Sequence, residues 1–385
     1  MSWEVVKLGD IADFSNGVNF SKEAYAKGVK LIGVSNFGNR FYPEYETLEE
    51  IKEEVVRNND LLISGDIIFV RSNGNKELVG RCMLVNCPPE KVTYSGFCIR
   101  ARLKNLEKHD PIFWTYHFKN AAFRRAMAGT AIGTNIQNLS QGRLANYKAT
   151  IPDIDTQKRI AQILVNYDNL IENNQKQIKL LEEAAQRLYK EWFVDLRFPG
   201  YEDVAVVDGV PEGWRKSLIG DAIGKVSRSK QVKATDYLSE GSIPVIDQSR
   251  DFIAGYTNDT ETLVNIGCPV IVFGDHTRIL KYVQFPFAKG ADGTQLIVSC
   301  NDNMPQSLLY CGLVAVDLSN YHYARHFKYL KAEEILVPTK EIADKFDAIA
   351  SPILQQIQKL RDISNKSAQA RDRLLPKLMS GDLEV

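Results

Sequence analysis

Apolar positions along the chain follow two alternating patterns, and each pattern occurs twice. From Trp3 to Pro152 they come in short runs broken by Gly, Asn and Ser. The run Ile67-Ile68-Phe69-Val70, introduced by Gly65, is the clearest and predicts a buried β-strand. Past Pro152 the spacing changes to threes and fours: Ile160, Ile163, Leu164, Tyr167, Leu170, Ile171, Ile178, Leu181, Leu188 and Trp192 define one long amphipathic helix with a coiled-coil seam. The strand pattern then resumes. After Pro338 a second seam follows through Phe346, Ile349, Ile353, Ile357, Leu360, Ile363, Leu374 and Leu378. Asn174 and Gln177 interrupt the first seam, and Gln356, Ser364 and Ser367 the second. Polar seam residues cost stability and fix register.

Landmarks tie the two halves together. Trp3, Gly9 and Asp10 recur as Trp214, Gly220 and Asp221, displaced by 211 positions. The Gly65 strand recurs as Gly267 with Val270-Ile271-Val272 at 202, Gly96 as Gly293 at 197, and Pro152 as Pro338 at 186. A displacement that only falls means that the second copy has shorter loops. Each helix covers about 39 residues, roughly 58 Å, too long for a connector inside one domain. The expected fold is therefore α+β: two similar domains separated by two long helices packed as an antiparallel coiled coil, an internal repeat with a pseudo-two-fold axis. The expected boundaries are 1–152 for the first domain, 153–197 for the central helix, 198–338 for the second domain and 339–385 for the distal helix.

Composition narrows the class. At 385 residues two globular units are expected, and 44% apolar with 25% charged residues suits a soluble cytoplasmic protein with no membrane span. The start, Met1-Ser2-Trp3-Glu4, has neither the basic nor the apolar region of a signal peptide. The six cysteines form no C-x-x-C pair, so buried reduced thiols and no structural metal are expected. The 48 basic and 48 acidic residues cancel, where a nucleic-acid binder usually carries a basic excess. By segment the net charge is +4, −1, −4 and +1, so a DNA-binding role would need another subunit to supply much of the attraction.

Catalytic motifs are missing. Gly220-Asp221-Ala222-Ile223-Gly224-Lys225-Val226 is one residue short of a phosphate-binding loop and lacks the hydroxyl needed on Mg²⁺. Cys87-Pro88-Pro89-Glu90 shares only its prolines with the Asn-Pro-Pro-Tyr element of adenine methylation and reads as a turn. The five histidines show no nucleophile or metal spacing. Neither an enzymatic activity nor a cofactor is expected.

The end of the first helix, Leu188-Tyr189-Lys190-Glu191-Trp192-Phe193-Val194-Asp195 with Arg197-Phe198-Pro199-Gly200, resembles the central conserved region of the specificity subunits of type I restriction-modification systems. Pro211-Glu212-Gly213-Trp214 resembles it as well, and Leu374-Leu375-Pro376-Lys377-Leu378-Met379-Ser380-Gly381-Asp382 resembles the distal conserved region. Gly129 through Ser140 resembles the close of a target-recognition domain; the second copy departs there, with His322-Tyr323-Ala324-Arg325-His326-Phe327-Lys328. The resemblance spans essentially the whole chain. It implies a non-catalytic protein that reads a bipartite target in double-stranded DNA, one half-site per domain. It also implies two methyltransferase subunits as partners and, in the full complex, two ATP-driven translocating endonuclease subunits.

In such a protein, amide and guanidinium groups read base edges while hydroxyls and backbone amides hold phosphates. Loops after buried strands are the places to present them. In the first domain the candidates are Ser35, Asn36 and Asn39; Arg71, Ser72, Asn73 and Asn75; and Thr130, Thr134, Asn135 and Asn138, with Arg124 and Arg125 for phosphates. In the second they are Gln248 and Arg250; Asp275, His276, Thr277 and Arg278; and His322, Tyr323, Arg325 and Lys328. Trp192, Phe193, Leu378 and Met379 are the candidates for methyltransferase docking. The competing readings are a non-catalytic adaptor whose paired domains bind protein or carbohydrate, and a fused methyltransferase-nuclease, for which there is neither room nor motif. If the helices act as a ruler, inserting four residues in the central helix adds roughly 6 Å of rise. Methylation mapping of that variant is expected to give a longer unread spacer between unchanged half-sites; new half-sites at the old spacing would contradict it.

Overall fold

A computed structural model of the chain describes residues 3–38, 40–72, 78–128, 138–224, 226, 229–321 and 325–385. It contains two compact units, one of residues 1–172 with 364–385, the other of residues 173–363. The first unit begins with β1 (Glu4–Lys7), the single turn α1 (Leu8–Ile11), β2 (Ala12–Asn16), β3 (Tyr25–Ile32), β4 (Glu49–Ile51), β5 (Ile67–Val70), β6 (Cys82–Leu84), β7 (Val92–Tyr94) and β8 (Cys98–Leu103). Short helices α2 (Pro111–Lys119), α3 (Ala121–Ala128) and α4 (Gln141–Asn146) lead to β9 (Lys148–Ile151) and the long α5 (Ile154–Tyr189). Four strands pair in the order β2-β8-β5-β6, three as β4-β3-β7 with β3 and β7 parallel, and β1 pairs with β9.

Strand β5 shows why its sequence is an unbroken apolar run rather than an alternating one: it is buried on both faces. Ile67 and Phe69 enter the core shared with Trp114 and Phe118 of α2, Ile160 and Leu164 of α5, and Leu378. Ile68 and Val70 enter a second core with Ile32, Met83 and Tyr94. Helix α2 starts where Asp110 Oδ1 accepts the Phe113 N–H at 2.7 Å, with Pro111 in the first turn. On its buried face burial pushes the His117 imidazole down to about 4, so the ring is neutral in the fold.

The second unit carries β10 (Val206–Val207), β11 (Val210–Pro211), β12 (Arg215–Leu218), α6 (Ile219–Ala222), β13 (Ile223–Gly224), β14 (Ile243–Ile246), β15 (Gly255–Thr257), β16 (Leu263–Val264), β17 (Val270–Gly274), β18 (Leu280–Val283), β19 (Phe287–Lys289) and β20 (Thr294–Ser299). Then come α7 (Gln306–Ala315), α8 (His326–Ala332), β21 (Glu334–Val337) and α9 (Lys340–Ser380). Its sheets are β13-β20-β17-β18, β15-β14-β19-β16, β12-β21 and the short pair β10-β11. Apart from β16, which adds a fourth strand to its sheet, and the β10–β11 pair, these pairings follow the order seen in the first unit, including a parallel pair, β14 with β19. Strand β17 is again buried on both faces: Ile271 and Phe273 lie in one core, Val270 and Val272 in another. The paired glycines have one task. A Cβ on Gly9 would sit 3.1 Å from the Ala145 carbonyl oxygen, and one on Gly220 3.1 Å from that of Lys331, so each lets its turn approach a neighbouring helix.

Both long helices contribute to each unit. In the first, Asp168 of α5 is ion-paired with Arg371 of α9 and hydrogen-bonded to the Tyr116 hydroxyl. In the second, Arg361 of α9 meets Glu182 of α5 at 2.7 Å. Helix α5 closes in a π-turn, Lys190–Val194, that carries Trp192 and Phe193 into the core beside Phe346, with ring centroids 5.8 and 5.2 Å away.

Several expectations change. Gln177 and Gln356 are exposed, and the buried polar positions on the two long helices are Thr156, Gln157, Asn174, Gln358 and Ser367. Cys82, Cys98 and Cys311 are buried thiols, but Cys87, Cys268 and Cys300 are exposed. Among the described residues no helix is long and apolar enough to cross a membrane.

Candidate nucleic-acid interface

In the second unit the polar candidates gather where β17 ends. Glycine Gly274 leads into a tight turn, Asp275-His276-Thr277, and Arg278 follows with a left-handed backbone at φ +62°. The loop after β14 lies against this turn. Gln248 binds it with both ends of its amide: Nε2 donates to the Asp292 carbonyl at 2.9 Å, and Oε1 accepts the His276 N–H at 3.1 Å. The Thr277 hydroxyl donates to the Gln248 carbonyl at 2.7 Å. Asp275 is buried, and its carboxylate accepts the Phe327 N–H at 2.8 Å. Its carbonyl oxygen lies 2.8 Å from His326 Nδ1, while His326 Nε2 lies 2.8 Å from the Tyr321 carbonyl.

These bonds sort the candidates. Asp275 braces the turn from inside, buried and with one carboxylate oxygen held by the Phe327 N–H. Gln248 positions its neighbours. His276, Thr277, Arg250, Arg325 and Lys328 are exposed. Arg278 is also exposed, but its Nη1 donates to the Leu318 carbonyl at 3.0 Å, so it borders a cavity of about 560 Å³ with Glu182, Phe273 and Tyr310. His322 and Tyr323 lie outside the described residues.

In the first unit Arg71 and Ser72 follow β5 as expected. The Arg71 guanidinium donates to the Gly96 carbonyl at 3.2 Å, and the Arg71 and Ser72 N–H groups both point at the Phe97 carbonyl, at 2.8 and 3.3 Å. Ser72 bridges to Asn138, which joins this loop to the segment before α4. Ser35 is exposed, whereas the Asn36 side chain accepts the Gly33 N–H at 2.7 Å and shapes its own turn. Arg125 is exposed, and Arg124 lines a separate cavity with Arg81 and Lys119. Asn39, Asn73, Asn75, Thr130, Thr134 and Asn135 lie outside the described residues.

The docking candidates need correction. Trp192, Phe193, Leu378 and Met379 are 7, 4, 0 and 6% exposed and belong to the cores of their own units, so they offer no surface to a partner. Helical periodicity identifies a buried stripe without saying what buries it. Sequence reasoning also missed Phe97, an aromatic 64% exposed beside Arg71; its Gly-Phe setting gave no sign of whether the ring points in or out.

A second omission is the group that holds the Gln248 loop. Lys281 of β18 is 4% exposed; its ammonium donates to the Asp251 carbonyl at 2.5 Å and lies 3.8 Å from Asp247. Asp247 in turn accepts from the Tyr237 hydroxyl at 3.2 Å and from the Ser249 N–H at 2.8 Å. Burial outweighs the nearby carboxylates and pushes the Lys281 ammonium down to about 8. The unfolded chain therefore holds this proton up to about pH 10.4, and stability gained from the group rises as pH climbs from about 8 and is lost on returning. Urea unfolding of the wild type is expected to gain of order 3 kcal/mol over that window relative to Lys281→Met. Parallel pH profiles for the two proteins would contradict this.

Comparison with known proteins follows the same outline. Residues 1–183 match the family model described as the type I restriction modification DNA specificity domain. The MjaIX type I restriction enzyme specificity subunit of Methanocaldococcus jannaschii is 25% identical, with the alignment covering all of this chain and 94% of that one. The EcoR124I/EcoR124II specificity subunit of Escherichia coli is 34% identical over 104 residues, 26% of this chain and 24% of its own. The crystal structure of a type I restriction-modification S subunit from M. genitalium superposes with a TM-score of 0.62 at 16% identity, covering 98% of this chain and 96% of that one, which supports a shared fold. By this agreement of domain model and full-length relatives, the chain resembles type I restriction-modification specificity subunits, and its first 183 residues match their DNA specificity domain.

Proposed function

We propose that this chain is the DNA-specificity subunit of a type I restriction-modification complex, a non-catalytic protein that reads a bipartite duplex target and recruits methyltransferase and endonuclease subunits. The observation that carries this reading is the matched strand order of the two units, each presenting a polar loop or turn at the end of a central strand buried on both faces. We infer an internal repeat with α5 and α9 paired as an antiparallel coiled coil. The supports are the ion pairs Asp168–Arg371 and Glu182–Arg361, in which the residue number rises on one helix as it falls on the other.

The loops differ in chemistry while the scaffolds agree. One unit offers Ser35, Arg71, Ser72 and Phe97, the other Arg250, His276 and Thr277 with Arg325 and Lys328. The two half-sites are therefore unlike. A guanidinium, hydroxyl or imidazole aimed into the major groove discriminates one base pair from another by about 1–3 kcal/mol. Docking of methyltransferases falls to exposed positions on the long helices, since the aromatic cluster at the end of α5 is internal; Leu180, Ile349 and Ile363, each at least 41% exposed, are apolar positions of that kind. Competition binding by the assembled methyltransferase complex tests the reading domains. Arg250→Ala with His276→Ala is expected to relax preference by roughly tenfold or more at base pairs of one half-site alone. Equal relaxation at both half-sites, or none, would sink the assignment.

A further inference from the structure

Of the 17 phenylalanines, Phe97 alone is exposed among the described residues, at 64%. Its backbone, by contrast, is held from several sides. Phe97 ends the turn between β7 and β8, and its carbonyl oxygen accepts the N–H groups of Arg71 and Ser72 at 2.8 and 3.3 Å. Its own N–H donates to Ser95 Oγ at 3.2 Å. The Gly96 N–H donates to the Val18 carbonyl at 2.7 Å, and the Gly96 carbonyl accepts from the Arg71 guanidinium at 3.2 Å. A Cβ at Gly96 would run into the side-chain amide of Asn19, so this turn requires glycine. The ring is thus mounted on a backbone tied to two other segments of the first unit.

An apolar side chain left in water forgoes the stabilisation that burial would bring. Mounted on a turn already ordered by hydrogen bonds, it can make a contact with little further loss of backbone freedom. The groups around the turn say what kind of contact. Arg71 and Ser72 are bonded to it, Ser72 bridges to the exposed Asn138, and the exposed Asn19 lies against Gly96. A protein-docking surface has an apolar centre depleted of charge. Here a single ring stands among guanidinium, hydroxyl and amide groups, the set that reads base edges. In the major groove the one apolar group on offer is the 5-methyl of thymine. The second unit differs: the landmark repeat that matches Gly96 with Gly293 places Thr294 opposite Phe97, and Thr294 is 1% exposed with its hydroxyl bonded to the Ala291 carbonyl at 3.1 Å.

Resting on the reading of this chain as a DNA-specificity subunit, we propose that Phe97 is a specificity-determining residue that recognises the 5-methyl group of one thymine in the half-site of the first unit. The ring supplies the apolar contact, and the bonds from Arg71, Ser72 and Ser95 to its backbone keep it in place.

Competition binding by the assembled methyltransferase complex tests this on its mapped target, with each thymine replaced in turn by deoxyuridine. The replacement removes one methyl and leaves every hydrogen-bonding edge intact. For the wild type, replacement at one thymine of one half-site is expected to weaken binding by roughly three- to fourfold. Phe97→Ala is expected to bind the thymine target more weakly by at least that factor and to be indifferent to the replacement. Phe97→Leu, which keeps an apolar side chain, is expected to stay sensitive. Undiminished sensitivity in Phe97→Ala, or a wild type with no methyl-sensitive thymine, overturns the proposal. So does a Phe97→Ala chain that is folded by circular dichroism yet no longer assembles, because the ring would then serve a protein partner. Should Phe97→Ala fail to fold, Phe97→Ser takes its place in the same scan. Sequence-specific binding with no methyl-sensitive thymine would remove this inference and leave the functional reading standing, whereas a complex without any sequence preference would remove both.

Discussion

Each unit closes its apolar core with pieces of both long helices, and the rest of the architecture depends on that burial. In the first, Ile160 and Leu164 of α5 and Leu378 of α9 lie in one cluster with the strand residues Ile67 and Phe69. In the second, Ala185 and Tyr189 of α5 and Phe346, Leu354 and Ile357 of α9 join Ile271 and Phe273. The apolar contact supplies the stabilisation, since removal of large side chains from water dominates over partly exposed ion pairs. Asp168–Arg371 and Glu182–Arg361 contribute register instead. A helix that is core to a unit cannot be a loose tether for it.

The same economy leaves the loops of two similarly ordered scaffolds free to differ. Residues of β5 and β17 are fixed by burial on both faces, so the strand has little freedom to vary. The described ends of the loops that leave it are anchored through bonds such as Gln248 to Asp292 and His276, or Arg71 to Gly96. Side chains beyond those anchors can change without disturbing the core. Lys281 extends this logic downward, because a buried ammonium on β18 fixes the Asp251 carbonyl and thereby the loop that carries Arg250.

What the sequence revealed, and what it did not, follows from the kind of force involved. Burial leaves a periodic trace: the strands at Ile67 and Val270, the change of pattern after Pro152 and Pro338, and the paired glycines Gly9 and Gly220 were all legible because a wrong residue there would clash or be exposed. Contact partners leave no such trace. Trp192, Phe193, Leu378 and Met379 read as apolar but gave no clue that their own unit covers them. Gln356 and Gln358 flank the seam residue Ile357 on its two sides, and the pattern alone does not say which of the two a neighbour covers. Among polar loop residues, Asp275 and Asn36 are bound to backbone while Ser35 and His276 are exposed, a distinction made by hydrogen bonds between distant segments.

The central claim is that two unlike readers act at a constant separation. Long-read mapping of methylated bases in a host expressing this chain with its methyltransferase measures this most directly. The account predicts a motif of two short, unrelated half-sites with one invariant unread gap. A continuous motif, two identical halves, or a gap that varies from site to site would contradict it.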